Sequence, residues 1–212
     1  MKYKALLFGS IGTLIESSDI QRTSFNEAFK EAGLDWYWDE QDYRNLLKKS
    51  GGTKRVEDFA EKNNVNVNAS QIRNRKTEIF SSYIIKNKQK LRKSVYEIIN
   101  FSKKNNIKLS LSTSTTINNV EAIFESLSDQ ITKEDFDFIG NKSLVKYEKP
   151  NPEIYKVTLE HLNIEASDCI AIEDTEESSQ SAINAGIKCI GFPGDFHSDD
   201  NFEMCIKKMN VL

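Results

Sequence analysis

The sequence predicts an α/β protein, a parallel sheet covered by helices on both faces with an all-helical segment inserted after the first strand. Three observations carry this. An apolar run, Ala5-Leu6-Leu7-Phe8, precedes a Gly-Thr turn; a purely helical pattern follows for about 75 residues; and strand and helix patterns then alternate to the end. The expected boundaries are 1–15 and 90–212 for the sheet core and 16–89 for a helical cap.

Within the inserted segment, Phe25, Ala28, Phe29 and Ala32 recur at helical spacing, with Gly33 as stop. Asp39 is an N-cap for a second helix bearing Tyr43, Leu46 and Leu47, which Gly51-Gly52 ends. Val56, Phe59 and Ala60 mark a third helix. Ile72, Ile79, Phe80, Tyr83 and Ile84 mark a fourth starting near Ser70, and Val65-Asn66-Val67 reads as a loop. In the alternating part, helices are expected over 95–103, 118–127, 152–161 and 178–185, the last capped by Gly186. Strands are expected over 107–112, 136–140, 169–173 and, as the final element, 188–192. Strands that are continuously apolar belong to a parallel sheet buried on both faces, which binds ligands at the strands' carboxyl ends.

A chain of 212 residues is long enough to bury a full core. The formal charge of −3 is mixed along the chain, so no basic stripe points to nucleic acid. The first apolar run is far shorter than the roughly 18 residues that span a bilayer. With no signal-peptide pattern in Met1-Lys2-Tyr3-Lys4 onward, no membrane association and a cytoplasmic location are expected. Cys169, Cys189 and Cys205 have neither zinc-type nor C-x-x-C spacing and read as apolar filler.

Four segments, in order, resemble the motifs of the haloacid dehalogenase (HAD) superfamily. They are Phe8-Gly9-Ser10-Ile11-Gly12-Thr13-Leu14, the strand ending at Thr113, Lys149-Pro150-Asn151-Pro152, and Ile172-Glu173-Asp174. The segments Ala32-Gly33-Leu34-Asp35-Trp36 and Gly51-Gly52-Thr53-Lys54-Arg55 look like the CbbY branch near β-phosphoglucomutase. The resemblance implies a Rossmann-like core of the HAD type, phosphosugar substrates and a helical cap. It also implies a nucleophilic aspartate at position 9 and an acid/base aspartate at position 11. Gly9 and Ile11 stand there instead, and Gln21 stands where the family often has a cap histidine.

What the resemblance leaves is the binding half of such a site. Thr113 and Lys149 are expected to hold a phosphoryl group, and Arg55 a second phosphate from the cap. Active relatives hold Mg2+ with carboxylates of the first and fourth motifs; here only Asp174 and Glu173 are left, so metal binding is expected to be weak or absent. With position 9 empty of charge, Lys149 is expected to pair with Asp174. Ser10 is expected to point away from the site, and His161 and His197 to be solvated. Three readings stay open: a non-catalytic binder of a phosphorylated small molecule, a phosphatase or phosphomutase with a non-standard nucleophile, and an interaction protein whose pocket is empty and whose partner is another protein.

Overall fold

The computed structural model describes residues 3–48 and 51–212; the Met1-Lys2 start of the N-terminal segment lies outside the described residues, as do 49 and 50, just before the Gly51-Gly52 pair. The chain divides into two compact units, Met1–Glu16 with Lys88–Leu212 and Ser17–Asn87.

The first unit is built on a six-stranded parallel sheet. Its strands are β1 (Ala5–Phe8), β2 (Lys108–Ser112), β3 (Phe138–Gly140), β4 (Cys169–Glu173), β5 (Lys188–Gly191) and β6 (Lys207–Lys208), in the order β3-β2-β1-β4-β5-β6. All four residues of β1 are buried, which fits its central place between β2 and β4. The one-turn helix α1 (Ile11–Leu14) follows β1, and α6 (Val95–Lys104), α7 (Ile117–Ser126), α8 (Glu153–Leu162) and α9 (Glu176–Asn184) alternate with the later strands. Ala5 and Leu7 of β1 share one apolar cluster with Ala171, Cys189, Ile154, Tyr155 and Ala182. The strand-helix alternation is therefore what buries this face of the sheet.

Three details depart from the sequence expectation. The third strand begins at Phe138, not 136, because the Asp137 carboxylate accepts the Leu109 N–H at 2.8 Å, a donor that ladder pairing would otherwise use. The strand at 188–192 is not the last: Ile206 N–H donates to Cys189 O and Met209 N–H to Gly191 O, adding β6. The two residues of β6 are exposed lysines and give no apolar signal. Finally, α1 occupies residues read as a turn, so β1 ends before Gly9.

The second unit contains α2 (Ser18–Glu31), α3 (Glu40–Leu47), α4 (Gly52–Lys62) and α5 (Ala69–Lys86) and, among the described residues, no strand. Its core is aromatic. Trp38 is fully buried, with ring centroids 5.0 Å from Phe25, 4.6 Å from Phe29 and 5.4 Å from Phe59. The Asn26 amide holds the Trp38 backbone at both ends, accepting its N–H at 2.8 Å and donating to its carbonyl at 2.9 Å. Asp39 caps α3 as expected, accepting Asp42 N–H at 2.8 Å. Gly51 and Gly52, read as the end of this helix, instead open α4; Gly51 has φ 91°, which suits glycine.

Candidate functional site

Parallel pairing places the ends of β1, β2 and β4 side by side. Phe8 is in register with Leu111 on one flank and Ile172 on the other, so Gly9, Thr113 and the Glu173-Asp174 pair leave the sheet at one edge. Gly9 N–H still donates to Ile172 O at 2.9 Å. Lys149, from the segment before α8, extends its ammonium to the Gly9 carbonyl and, at 2.5 Å, to Glu173 Oε1. Both side chains are withdrawn from water: Glu173 is wholly buried and the Lys149 side chain 7% exposed.

This pairing corrects the expectation for Lys149, whose partner is Glu173 and not Asp174. Asp174 is instead engaged by Ser10, whose Oγ donates to Oδ1 at 2.6 Å. Ser10 therefore takes part in the site, because β1 ends at Phe8 and the alternation of strand faces no longer governs residue 10. The same early end separates Gly9 from Ile11, which opens α1 and is buried. The two positions therefore do not project from one strand face.

Tyr155, fully buried in α8, completes the arrangement by donating to Glu173 Oε1 at 2.7 Å. Burial pushes the Glu173 carboxyl above its ordinary range, and Lys149 pulls in the opposite direction. Glu173 Oε2 is buried without a hydrogen-bond partner. A Cβ on Gly9 would overlap this carboxylate, and one on Gly12 would overlap the Asp174 carboxylate. Both acidic side chains thus lie against backbone that only glycine leaves clear. Thr113 is buried at the end of β2, its Oγ1 accepting Thr115 N–H at 3.2 Å while keeping a proton to donate.

Sequence reasoning includes Tyr155 in the motif that runs from Lys149 to Tyr155 but gives it no role at the site, and it misses Arg92. The Arg92 guanidinium donates to the carbonyls of Gly12 and Phe192, both at 2.8 Å, and of Pro193, and stacks on the Phe192 ring at 3.5 Å. It ties the turn after β1 to the loop after β5. An isolated arginine in a loop carries no motif that could have announced this.

The histidines lie elsewhere. His161 packs against the Phe138 ring at 4.3 Å, and His197 is not simply solvated, since Nδ1 contacts Asp200 at 2.7 Å with the side chain only 13% exposed.

In the helical unit, Arg55 on α4 donates to Leu46 O at 3.0 Å and lies over the Tyr43 ring at 5.6 Å. Gln21, at the expected histidine position, accepts from Lys76. Lys76 sits among apolar positions, with Ile72 and Phe80 one turn to either side, and its ammonium lies about 5 Å from the Phe25 and Phe80 rings. Burial lowers its pKa to about 7, helped by the nearby charges of Arg73 and Arg55. Arg55, Arg73 and Lys76 thus form one basic cluster. A lysine at a core-facing helical position is the sequence signal for it.

Comparison with known proteins gives consistent results. The family described as haloacid dehalogenase-like hydrolase matches residues 11–192. Protein CbbY of Cereibacter sphaeroides is 32% identical over 94% of this chain and 88% of its own. The crystal structure of CbbY from Rhodobacter sphaeroides in complex with phosphate superposes with a TM-score of 0.88 at 30% identity, covering 99% of this chain and 94% of that one. A mutant of that protein in complex with xylulose-(1,5)bisphosphate gives 0.87, with the same identity and coverage.

Proposed function

This chain belongs to the haloacid dehalogenase-like hydrolase family, and within it we propose a CbbY-type member that binds a phosphorylated small molecule without turning it over. The observation that carries this reading is the state of position 9. It supplies no side chain, and the space beside it is filled by the Glu173 carboxylate, itself neutralised by Lys149. Covalent phosphoryl transfer needs a nucleophile within reach of phosphorus and an acid to protonate the leaving oxygen. Gly9 and Ile11 offer neither.

The donor set also argues against a resident Mg2+ of the kind HAD phosphatases generally use. Glu173 Oε1 is committed to Lys149 and Tyr155, Asp174 accepts from Ser10, and among the described residues no group of three ligating side chains comes together. The Lys149 ammonium supplies positive charge at this edge instead.

Phosphate recognition remains within the capacity of the residues. Lys149 spends two of its three protons on Gly9 and Glu173, leaving one for a phosphoryl oxygen, and Thr113 offers a hydroxyl. Burial and the nearby charges of Arg73 and Arg55 disfavour the Lys76 ammonium, and a bound anion relieves that. The phosphate and xylulose-(1,5)bisphosphate complexes of the R. sphaeroides relative make a sugar phosphate the first ligand class to test.

Titration calorimetry with xylulose-1,5-bisphosphate and inorganic phosphate tests the proposal. A charge-assisted contact is worth roughly 1.5 to 3 kcal/mol, so Lys149→Ala is expected to weaken binding by about one to two orders of magnitude. Absence of binding to the wild-type chain overturns the reading. So does phosphate release faster than about 0.1 per second, two orders below a median enzyme.

One observation favours turnover. Glu173 places a carboxylate beside position 9 with Oε2 unpartnered, which makes it the first residue to test as a nucleophile. Loss of release in Glu173→Gln would identify it.

A further inference from the structure

We propose that Cys189 and Cys205 form a peroxide-sensitive dithiol that closes to an intramolecular disulfide, fastening the segment after β5 back onto that strand. The geometry brings the two together. Cys189 lies in β5 within the buried apolar cluster, and Cys205 packs against the same cluster from the turn before β6. Ile206, the residue after Cys205, donates its N–H to the Cys189 carbonyl at 2.9 Å, so the two cysteine backbones are near neighbours. Phe202 holds the same turn in place by packing over Gly191, where a Cβ would overlap its ring. Fifteen residues separate the cysteines in sequence, and no spacing motif marks the pair.

The two thiols differ in chemistry. The hydrogen bond to Cys189 lowers the Cys205 thiol to about 7, against the effect of burial, while the same interaction and burial push Cys189 up. Cys205 is half-buried and Cys189 fully buried. One residue is therefore a reachable thiolate and the other a protonated thiol beside it, the division of labour between an attacking and a resolving cysteine. Cys169 is buried elsewhere in the cluster, and its thiol is raised to about 11 by burial.

The co-reactant is a hydroperoxide. The Cys205 thiolate attacks its distal oxygen, the O–O bond breaks, and the departing alkoxide takes up a proton, leaving a sulfenic acid on Cys205. Cys189 loses its proton as its sulfur attacks that sulfenic sulfur, and the hydroxyl leaves as water. Two thiols and one hydroperoxide become one disulfide, one alcohol and one water; with hydrogen peroxide, the alcohol is a second water.

The test uses the whole chain, reduced and folded. It is treated with hydrogen peroxide, quenched with iodoacetamide and mapped by peptide mass spectrometry. The expected result is a Cys189–Cys205 linked peptide with Cys169 alkylated. Without peroxide, Cys205 is expected to alkylate at pH 7 roughly tenfold or more faster than Cys169, given its larger thiolate fraction. In Cys189→Ser, dimedone is expected to trap the sulfenic acid on Cys205. Both cysteines remaining alkylated at peroxide levels that oxidise free cysteine overturns the proposal. A link that forms only in urea, or one that joins Cys205 to Cys169, does so as well.

Discussion

Each unit holds a buried lysine, and the two are held in opposite ways. At the edge of the sheet, every charged group is answered: Lys149 by Glu173 and the Gly9 carbonyl, Glu173 also by Tyr155, and Asp174 by Ser10. In the helical unit, burial first and then the nearby charges of Arg73 and Arg55 lower the Lys76 pKa, and the polar partner of Lys76 is the neutral Gln21. A buried pair that is already neutralised contributes to holding the fold in one arrangement. A buried cation without a counter-charge does the reverse: it costs stability and is the better place to look for an anion from solution.

The sharpest way to break this contrast is to orphan the sheet unit's buried acid. Lys149→Met removes the group that holds the buried Glu173 carboxyl down, so the acid must either keep an unpaired charge or take up a proton, and breaking a buried pair in this way costs about 3–5 kcal/mol. Urea unfolding of Lys149→Met and of the double variant Lys149→Met/Glu173→Leu checks it, with the double variant expected to recover most of the loss.

In the helical unit the sign is opposite. The folded-state pKa of Lys76 is about 7 while the unfolded value is near 10.4, so between these the unfolded chain holds a proton that the folded chain has released. Stability from this group therefore rises with pH, by about 1 kcal/mol per unit from pH 7 towards 10, and is flat below 7. Lys76→Met is expected to be more stable than the wild type at pH 7, with the gap closing by pH 10, as chemical unfolding across that range measures. A gap that is independent of pH would show that Lys76 has a counter-charge after all.

The smallest effect is steric. Gly9→Ala sets a methyl group against the Glu173 carboxylate, and such overpacking costs about 1–3 kcal/mol. Thermal unfolding is expected to show the loss and to show it shrink when Glu173→Ala is added.

Much of this was legible in the sequence, because periodicity and capping are local. The Asp39 cap, the helix through Phe25, Ala28 and Phe29 and the buried strand Ala5–Phe8 all follow from spacing and residue type. So did the meeting of Gly9, Lys149 and Glu173 at one edge, through the family motifs. What escaped depends on distances of tenths of an ångström or on where a strand stops. Ser10 was misplaced because β1 ends at Phe8 and strand alternation does not reach residue 10, and Lys149 was given the wrong carboxylate because neighbouring acids are indistinguishable in sequence. Arg92 acts through backbone carbonyls, which no residue pattern encodes, whereas Lys76 left a signal in its core-facing helical position.

The central position of β1 also has a consequence for how the protein is made. Its neighbours are residues 108–111 and 169–172, so β1 leaves the ribosome well before either partner strand has been synthesised. At about 5–20 residues per second this leaves an apolar Ala5–Phe8 segment unpaired for seconds. The helical unit closes through contacts between segments far nearer in sequence and does not share that delay. During biosynthesis, the stretch most in need of a chaperone is therefore the one that ends as the most protected strand of the sheet.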